Sequence, residues 1–162
     1  MIGIPYVSSR TANSHQTEGS LLNTLILTKT ISIPSIPANI KLVERFLMEI
    51  QDAVHLEDSV MDRVMISITE VVNNGIVHGN HSDPTKHVHI TCHCYEDRLD
   101  FIVSDEGEGF HPDDIPDPLD ERNLLKEGGR GVLIVRSMMD KVSFHLGSTG
   151  MEIHLSIRRT PD

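Results

Sequence analysis

Asp58-Ser59-Val60-Met61-Asp62-Arg63-Val64-Met65-Ile66-Ser67-Ile68-Thr69-Glu70-Val71-Val72-Asn73-Asn74-Gly75-Ile76-Val77-His78-Gly79 is the stretch on which the fold turns. Val60, Met61, Val64, Met65, Ile68, Val71 and Val72 recur at helical spacing, so one side of this helix is apolar and seeks a core. Asp58 or Ser59 supplies the N-cap, and Gly79 ends the helix. Near its C-terminal end, Glu70 and Asn74 stand four residues apart and project from one face, one turn from each other. An amide oxygen beside a carboxylate suits Mg²⁺, a hard cation that shares its oxygen shell with phosphates and water. Taken alone, the same spacing also fits a solvated polar helix face. Polar residues set beside an apolar stripe favour the first reading, because burial without a partner is costly.

Outward from this helix the chain reads as alternating strands and helices. Leu25 to Ile33 is β-branched and partly alternating, and Pro34 and Pro37 stop it, which predicts a strand and a turn. A helix from about Ala38 to Val54 follows, with Ile40, Val43, Phe46, Leu47 and Ile50 on one stripe. Downstream, His87 to Tyr95 and Arg98 to Ser104 form two strands joined by Glu96-Asp97, a hairpin. A helix from Gly131 to about Asp140 and strands at Lys141–Leu146 and Met151–Ile157 complete the chain. The polar stretch at about 111–128 has the length and composition of a functional lid. Residues 1–22 read as a flexible N-terminal extension and 23–162 as one domain. The expected fold is α+β: a two-layer sandwich with a mostly antiparallel, mixed sheet and helices on one face.

Two further motifs flank the last helix and the end of the hairpin. Asp105-Glu106-Gly107-Glu108-Gly109 follows a strand. A Ca²⁺ loop would need ligands where the glycines stand. As a nucleotide loop, the carboxylate accepts a hydrogen bond from an exocyclic amine while the glycines let backbone approach a flat base. A plain tight turn is the competing reading. Gly128-Gly129-Arg130-Gly131 feeds a helix N-terminus, where free N–H groups and the positive end of the dipole favour an anion. No Lys-Ser/Thr follows it, so it is not a Walker A sequence, and an ordinary loop cluster of glycines fits equally well. Arg122, Lys126 and Arg130 are the cations available to phosphates when a lid closes.

Composition narrows the function classes. The chain has 162 residues, with 24 acidic against 14 basic side chains and a net charge of −10. That balance argues against a nucleic-acid partner, which needs a phosphate-neutralising surface. No run approaches the roughly 18 apolar residues of a membrane span, and no charged region precedes an apolar one at the N-terminus. A cytoplasmic location and no membrane partner are expected. Cys92 and Cys94 share one face of a strand and are read as reduced core thiols.

In this order, with two strands between the first motif and the second, these residues resemble the GHKL ATPase superfamily, the Bergerat fold shared by gyrase, MutL and histidine-kinase catalytic domains. Glu70 to Gly79 resembles its N box, Asp105 to Gly109 its first glycine box and Gly129 to Gly131 its second, over about residues 24–158. The likeness is greatest to the bacterial anti-sigma factor serine/threonine protein kinases. The resemblance implies ATP or ADP with Mg²⁺ as cofactors and transfer of the γ-phosphate to a serine of an antagonist protein, with a sigma factor as second partner. It makes Glu70 the catalytic base, Asn74 the Mg²⁺ ligand and Asp105 the partner of the adenine amino group. It gives Gly107 and Gly109 to the adenine pocket, Gly129 and Gly131 to the phosphates, His78 a place near the phosphates, and Arg45 a role in partner contact. Gly150-Met151 departs from the Gly-Thr that often enters the family's last strand. The alternatives are a non-catalytic, nucleotide-gated binding module and a detached histidine-kinase catalytic domain.

One surface falls outside these motifs. Alternation places His87, His89, His93, His145 and His154 on the sheet face that no helix covers. A solvated polar face, a homodimer interface and a transition-metal site are the three readings.

Overall fold

A computed structural model of the chain describes residues 23–108 and 129–160. The strands are β1 (Leu25–Pro34), β2 (His87–Tyr95), β3 (Arg98–Asp105), β4 (Lys141–Leu146) and β5 (Met151–Arg158). The helices are α1 (Ile40–Val54), α2 (Asp58–Asn74) and α3 (Gly129–Met138), with a single turn of 3₁₀ helix at Pro37–Asn39 and a π turn at Gly75–Gly79. The strands form one sheet in the order β1-β2-β3-β5-β4, and every pairing is antiparallel. The α+β class with helices on one face is as expected, while the mixed character is absent from the described sheet.

Period-two alternation decides which face the helices cover. In β2 the buried row is Val88, Ile90, Cys92 and Cys94; in β3 it is Leu99, Phe101, Val103 and Asp105. These rows meet Val43, Phe46, Leu47 and Ile50 of α1 and Val60, Val64, Ile68, Val71 and Val72 of α2 in one core. The hydrophobic transfer of such side chains stabilises the fold by about 1.5–3 kcal/mol each. Cys92 and Cys94 are free and buried, with sulfurs 3.6 Å apart, and the hydrogen bond with Cys94, together with burial, pushes the Cys92 thiol's pKa upward.

The last helix runs from Gly129 to Met138 and not from Gly131 to Asp140, and three further boundaries differ from the sequence reading for local reasons. Pro37 opens a 3₁₀ turn, so α1 starts at Ile40 and not at Ala38. Glu57, in extended conformation, is the N-cap of α2 and makes no side-chain cap bond; the Asp58 side chain instead accepts from Gln51 Nε2 at 2.9 Å. The α-helical ladder of α2 stops at Asn74, where Asn80 N–H reaches back five residues to the Gly75 carbonyl at 2.8 Å.

Two arginines fasten the helical layer. Arg63 of α2 donates to the Met138 carbonyl at 2.8 Å and lies 3.8 Å from Asp140, so α2 and α3 run antiparallel. Arg159 donates to the carbonyls of Tyr95 and Glu96 at 3.2 and 3.3 Å and also to that of Val54, joining the end of α1 to the β2–β3 turn. No helix among the described residues is long and apolar enough to cross a membrane.

Within α2, Ser67 is fully buried and its hydroxyl has no hydrogen-bond partner. An unsatisfied buried hydroxyl costs stability, and its removal relieves that cost. Ser67→Ala is therefore expected to leave the urea midpoint unchanged or to raise it, whereas Ile68→Ala, at the fully buried position beside it, is expected to lower stability by about 2–5 kcal/mol.

Candidate functional site

The alternation that buries Val103 carries Asp105 onto the helix-covered side at the last position of β3. Its side chain is 9% exposed. The Oδ1 atom accepts from the Gly107 N–H at 2.9 Å and from the Met151 N–H at 3.3 Å. Three glycines form a collar around this carboxylate. A Cβ on Gly79 would stand 2.6 Å from Asp105 Oδ2, one on Gly150 would stand 2.5 Å from Oδ1, and one on Gly107 would strike the Gly79 carbonyl. The absence of side chains at these glycines thus lets three backbone segments approach the carboxylate closely.

At the other end of this helical segment, Asn74 Nδ2 donates to Glu70 Oε1 at 3.3 Å, which turns the amide oxygen away from the carboxylate. Glu70 packs against the first turn of α3 so closely that a Cβ on Gly131 would overlap its Oε1. Any side chain at Gly131 would displace the Glu70 carboxylate from this position. Gly129 opens α3 and Arg130 is exposed on its first turn.

Between these two ends, the π turn rotates the chain so that His78 faces solvent and Asn80 is fully buried. The Asn80 amide is inserted into the end of the sheet. Val88 and Asp105 are the last paired residues of β2 and β3. Where His87 and Glu106 would pair next, Asn80 Nδ2 donates to the His87 carbonyl at 2.9 Å and Asn80 Oδ1 accepts from the Glu106 N–H at 2.9 Å. The same Nδ2 donates to Ser35 Oγ at 2.7 Å. The Glu106 carboxylate closes the pair from the other side, accepting from the His87 N–H at 2.9 Å and meeting His89 Nε2 at 3.0 Å. These partners, His89 first, hold the Glu106 carboxyl below the ordinary carboxylate range. Its contribution is complete above the unfolded-state pKa and is lost as pH falls through the lowered folded value.

Glu70, Asn74 and Gly131 are brought together, as are Asp105 and Gly107. Gly109, Arg122, Lys126 and the lid expected at about 111–128 lie outside the described residues, as does the extension expected at 1–22. Asn80, Gly150 and the Met151 backbone are additions to the expected set; the Gly150-Met151 departure marks two of them, and no pattern marks Asn80.

The histidine kinase-like ATPase domain family matches residues 33–157. The chain belongs to this family. Among relatives of this histidine kinase-like ATPase chain, the anti-sigma F factor of Oceanobacillus iheyensis is 34% identical over 77 residues, 46% of this chain and 53% of that protein. The serine-protein kinase RsbW of Bacillus licheniformis is 30% identical over 97 residues, 54% of this chain and 59% of that protein. That of Bacillus subtilis is 25% identical over 118 residues, 69% and 74% of the two chains. The chain therefore spans between half and three fifths of the length of the first two. A crystal structure of the RsbU and RsbW domains of a Mycobacterium tuberculosis protein shares the fold, with a TM-score of 0.62 and 15% identity over 82% of this chain and 32% of that one.

Membership of a histidine kinase-like ATPase family implies ATP or ADP as ligand. The residues present fit it: a carboxylate at a strand end among glycines, which let a flat ring approach the backbone closely, can accept from an amine edge, and a glycine-opened helix N-terminus beside Glu70 can receive an anion.

On the opposite face of the sheet, His145 and His154 stand with ring centroids 4.6 Å apart, and His154 Nε2 meets Glu152 at 2.5 Å. His93, Asp100, Lys141, Ser143, His154 and Ser156 border a shallow groove there. Among the described residues, no three His, Cys, Asp or Glu side chains are grouped to hold a metal ion.

Replacing the inserted amide tests how much it holds. Asn80→Ala leaves Ser35 Oγ, the His87 carbonyl and the Glu106 N–H to find new partners, and urea unfolding is expected to show a loss of about 1–3 kcal/mol.

Proposed function

We propose that the chain is a cytoplasmic, ATP-dependent serine/threonine protein kinase of the anti-sigma type. It transfers the γ-phosphate of ATP to a serine of an antagonist protein and sequesters a sigma factor or similar regulator. The observation that carries this reading is the Glu70–Asn74 pair held against Gly131 at the start of α3. The names of the relatives, serine-protein kinase and anti-sigma factor, support it.

In this reading Asp105 accepts a hydrogen bond from the adenine amino group, with Gly107 and Gly109 shaping the pocket. Gly129 and Gly131 offer backbone N–H groups to the phosphates, and His78, Arg122, Lys126 and Arg130 surround them with cationic or hydrogen-bonding side chains. Asn74 holds Mg²⁺ through its amide oxygen, the atom its bond to Glu70 leaves turned outward. When bound, Mg²⁺-ATP supplies the transferable phosphoryl group and neutralises its charge. Glu70 takes the proton from the attacking serine hydroxyl as general base, and the amide bond from Asn74 fixes the orientation of that carboxylate. The gain comes chiefly from positioning, since phosphoryl transfer asks little covalent chemistry of the protein.

Partner contacts fall on other surfaces. Arg45, 71% exposed on α1 beside Glu49, faces outward for a regulator. The open sheet face, with its histidines and groove, is the surface for a homodimer. Nucleic acid and membrane have no part in this reading.

Calorimetry with Mg²⁺-ADP tests it first. Wild type is expected to bind, with Asp105→Asn weakening affinity by at least about tenfold. Glu70→Gln is expected to keep ADP affinity while phosphotransfer to a serine-bearing antagonist falls by about 10²–10⁴. No binding at millimolar ADP would overturn the nucleotide reading; binding without transfer in wild type would leave a nucleotide-gated binding module.

A further inference from the structure

From the Asn80 amide and the Glu106 carboxylate at the mouth of β2 and β3, we infer that Glu106 is a positioning residue that sets the chain's selectivity for the adenine amino group. The inference rests on Asp105 as the base-reading carboxylate. Asp105 is the last residue in the ladder, and the residue after it would leave the sheet unanchored. Glu106 is instead held at three points. Its N–H donates to Asn80, and its carboxylate meets the His87 N–H and His89 Nε2, all within 2.9–3.0 Å.

That clasp fixes the direction in which the chain departs from β3, and so the angle of the neighbouring side chain. Asp105 tolerates little error. Its Oδ1 is already shared between the N–H groups of Gly107 and Met151, the latter at a long 3.3 Å, and a hydrogen bond weakens steeply as its angle degrades. A shift of the loop at Glu106 moves Gly107, its immediate neighbour, and releases the shorter of these two bonds. The amine-reading oxygen would then have more than one orientation, and discrimination would fall before binding did. Phosphate contacts at α3 lie on a separate element and would survive the change.

The experiment measures two affinities for each variant by calorimetry: that for ADP, and that for purine riboside 5′-diphosphate, which lacks only the 6-amino group. Wild type is expected to favour ADP by at least about tenfold, and Asp105→Asn to remove most of that preference. Glu106→Ala is expected to reduce the ratio at least threefold while purine riboside diphosphate binds within about twofold of wild type. Glu106→Gln keeps an acceptor for the His87 N–H and is expected to restore most of the ratio. A merely structural loss would weaken both ligands alike, so an unchanged ratio in Glu106→Ala overturns the inference and leaves the nucleotide reading standing. Failure of wild type to bind either ligand overturns both, and an ADP preference untouched by Asp105→Asn removes the premise.

Discussion

A carboxylate withdrawn from water must be met by donors, and Asp105 stands where the turn after β3 and the start of β5 both supply them. Alternation in β3 makes its burial unavoidable, since the residue shares its face with Leu99, Phe101 and Val103. Backbone N–H groups from Gly107 and Met151 answer the charge. For the second of these to arrive, β5 must begin at Met151 and the preceding glycine must lie against Asp105 without a side chain. For the collar to close from the other side, α2 must give up its regular ladder and bring Gly79 alongside. The π turn is the local departure that does so, at a point where π turns often accompany a functional site.

Legibility in the sequence follows the reach of each signal. Helical and strand periods place α1, α2 and the hairpin within a few residues, because burial on one face leaves its mark on the spacing of Val43, Leu47, Val64 and Ile68. The Glu70–Asn74 pair is legible for the same reason, being local to one helix. The β3·β5 pairing joins residues more than fifty positions apart, such as Phe101 and Leu155, and no local pattern announces it. Asn80 is illegible for a different reason: its amide replaces a backbone rung, and nothing in Gly79-Asn80-His81 distinguishes such an insertion from an ordinary polar loop. Helix starts fail where they depend on the cap, as with Glu57 in place of Asp58 or Ser59.

The two faces of the sheet divide the labour. The helical side holds the apolar core with Asp105 and Glu70, whereas the open side is built from rows of polar residues such as His89, Ser104, Glu152 and His145, neighbours in register across four strands. Glu106 touches both. Its backbone lies next to Asp105, and its side chain reaches His89 on the exposed surface.

The collar around Asp105 has a consequence for the energetics of the whole chain. Its members, Gly79, Gly107 and Gly150 with the Met151 N–H, belong to segments that are distant in sequence and that separate completely when the chain unfolds. A molecule held at that point binds the folded chain alone, so its binding free energy is added to folding stability in proportion to the logarithm of its concentration. Were the proposed nucleotide held there, its supply would act, in thermodynamic terms, on the population of the folded chain.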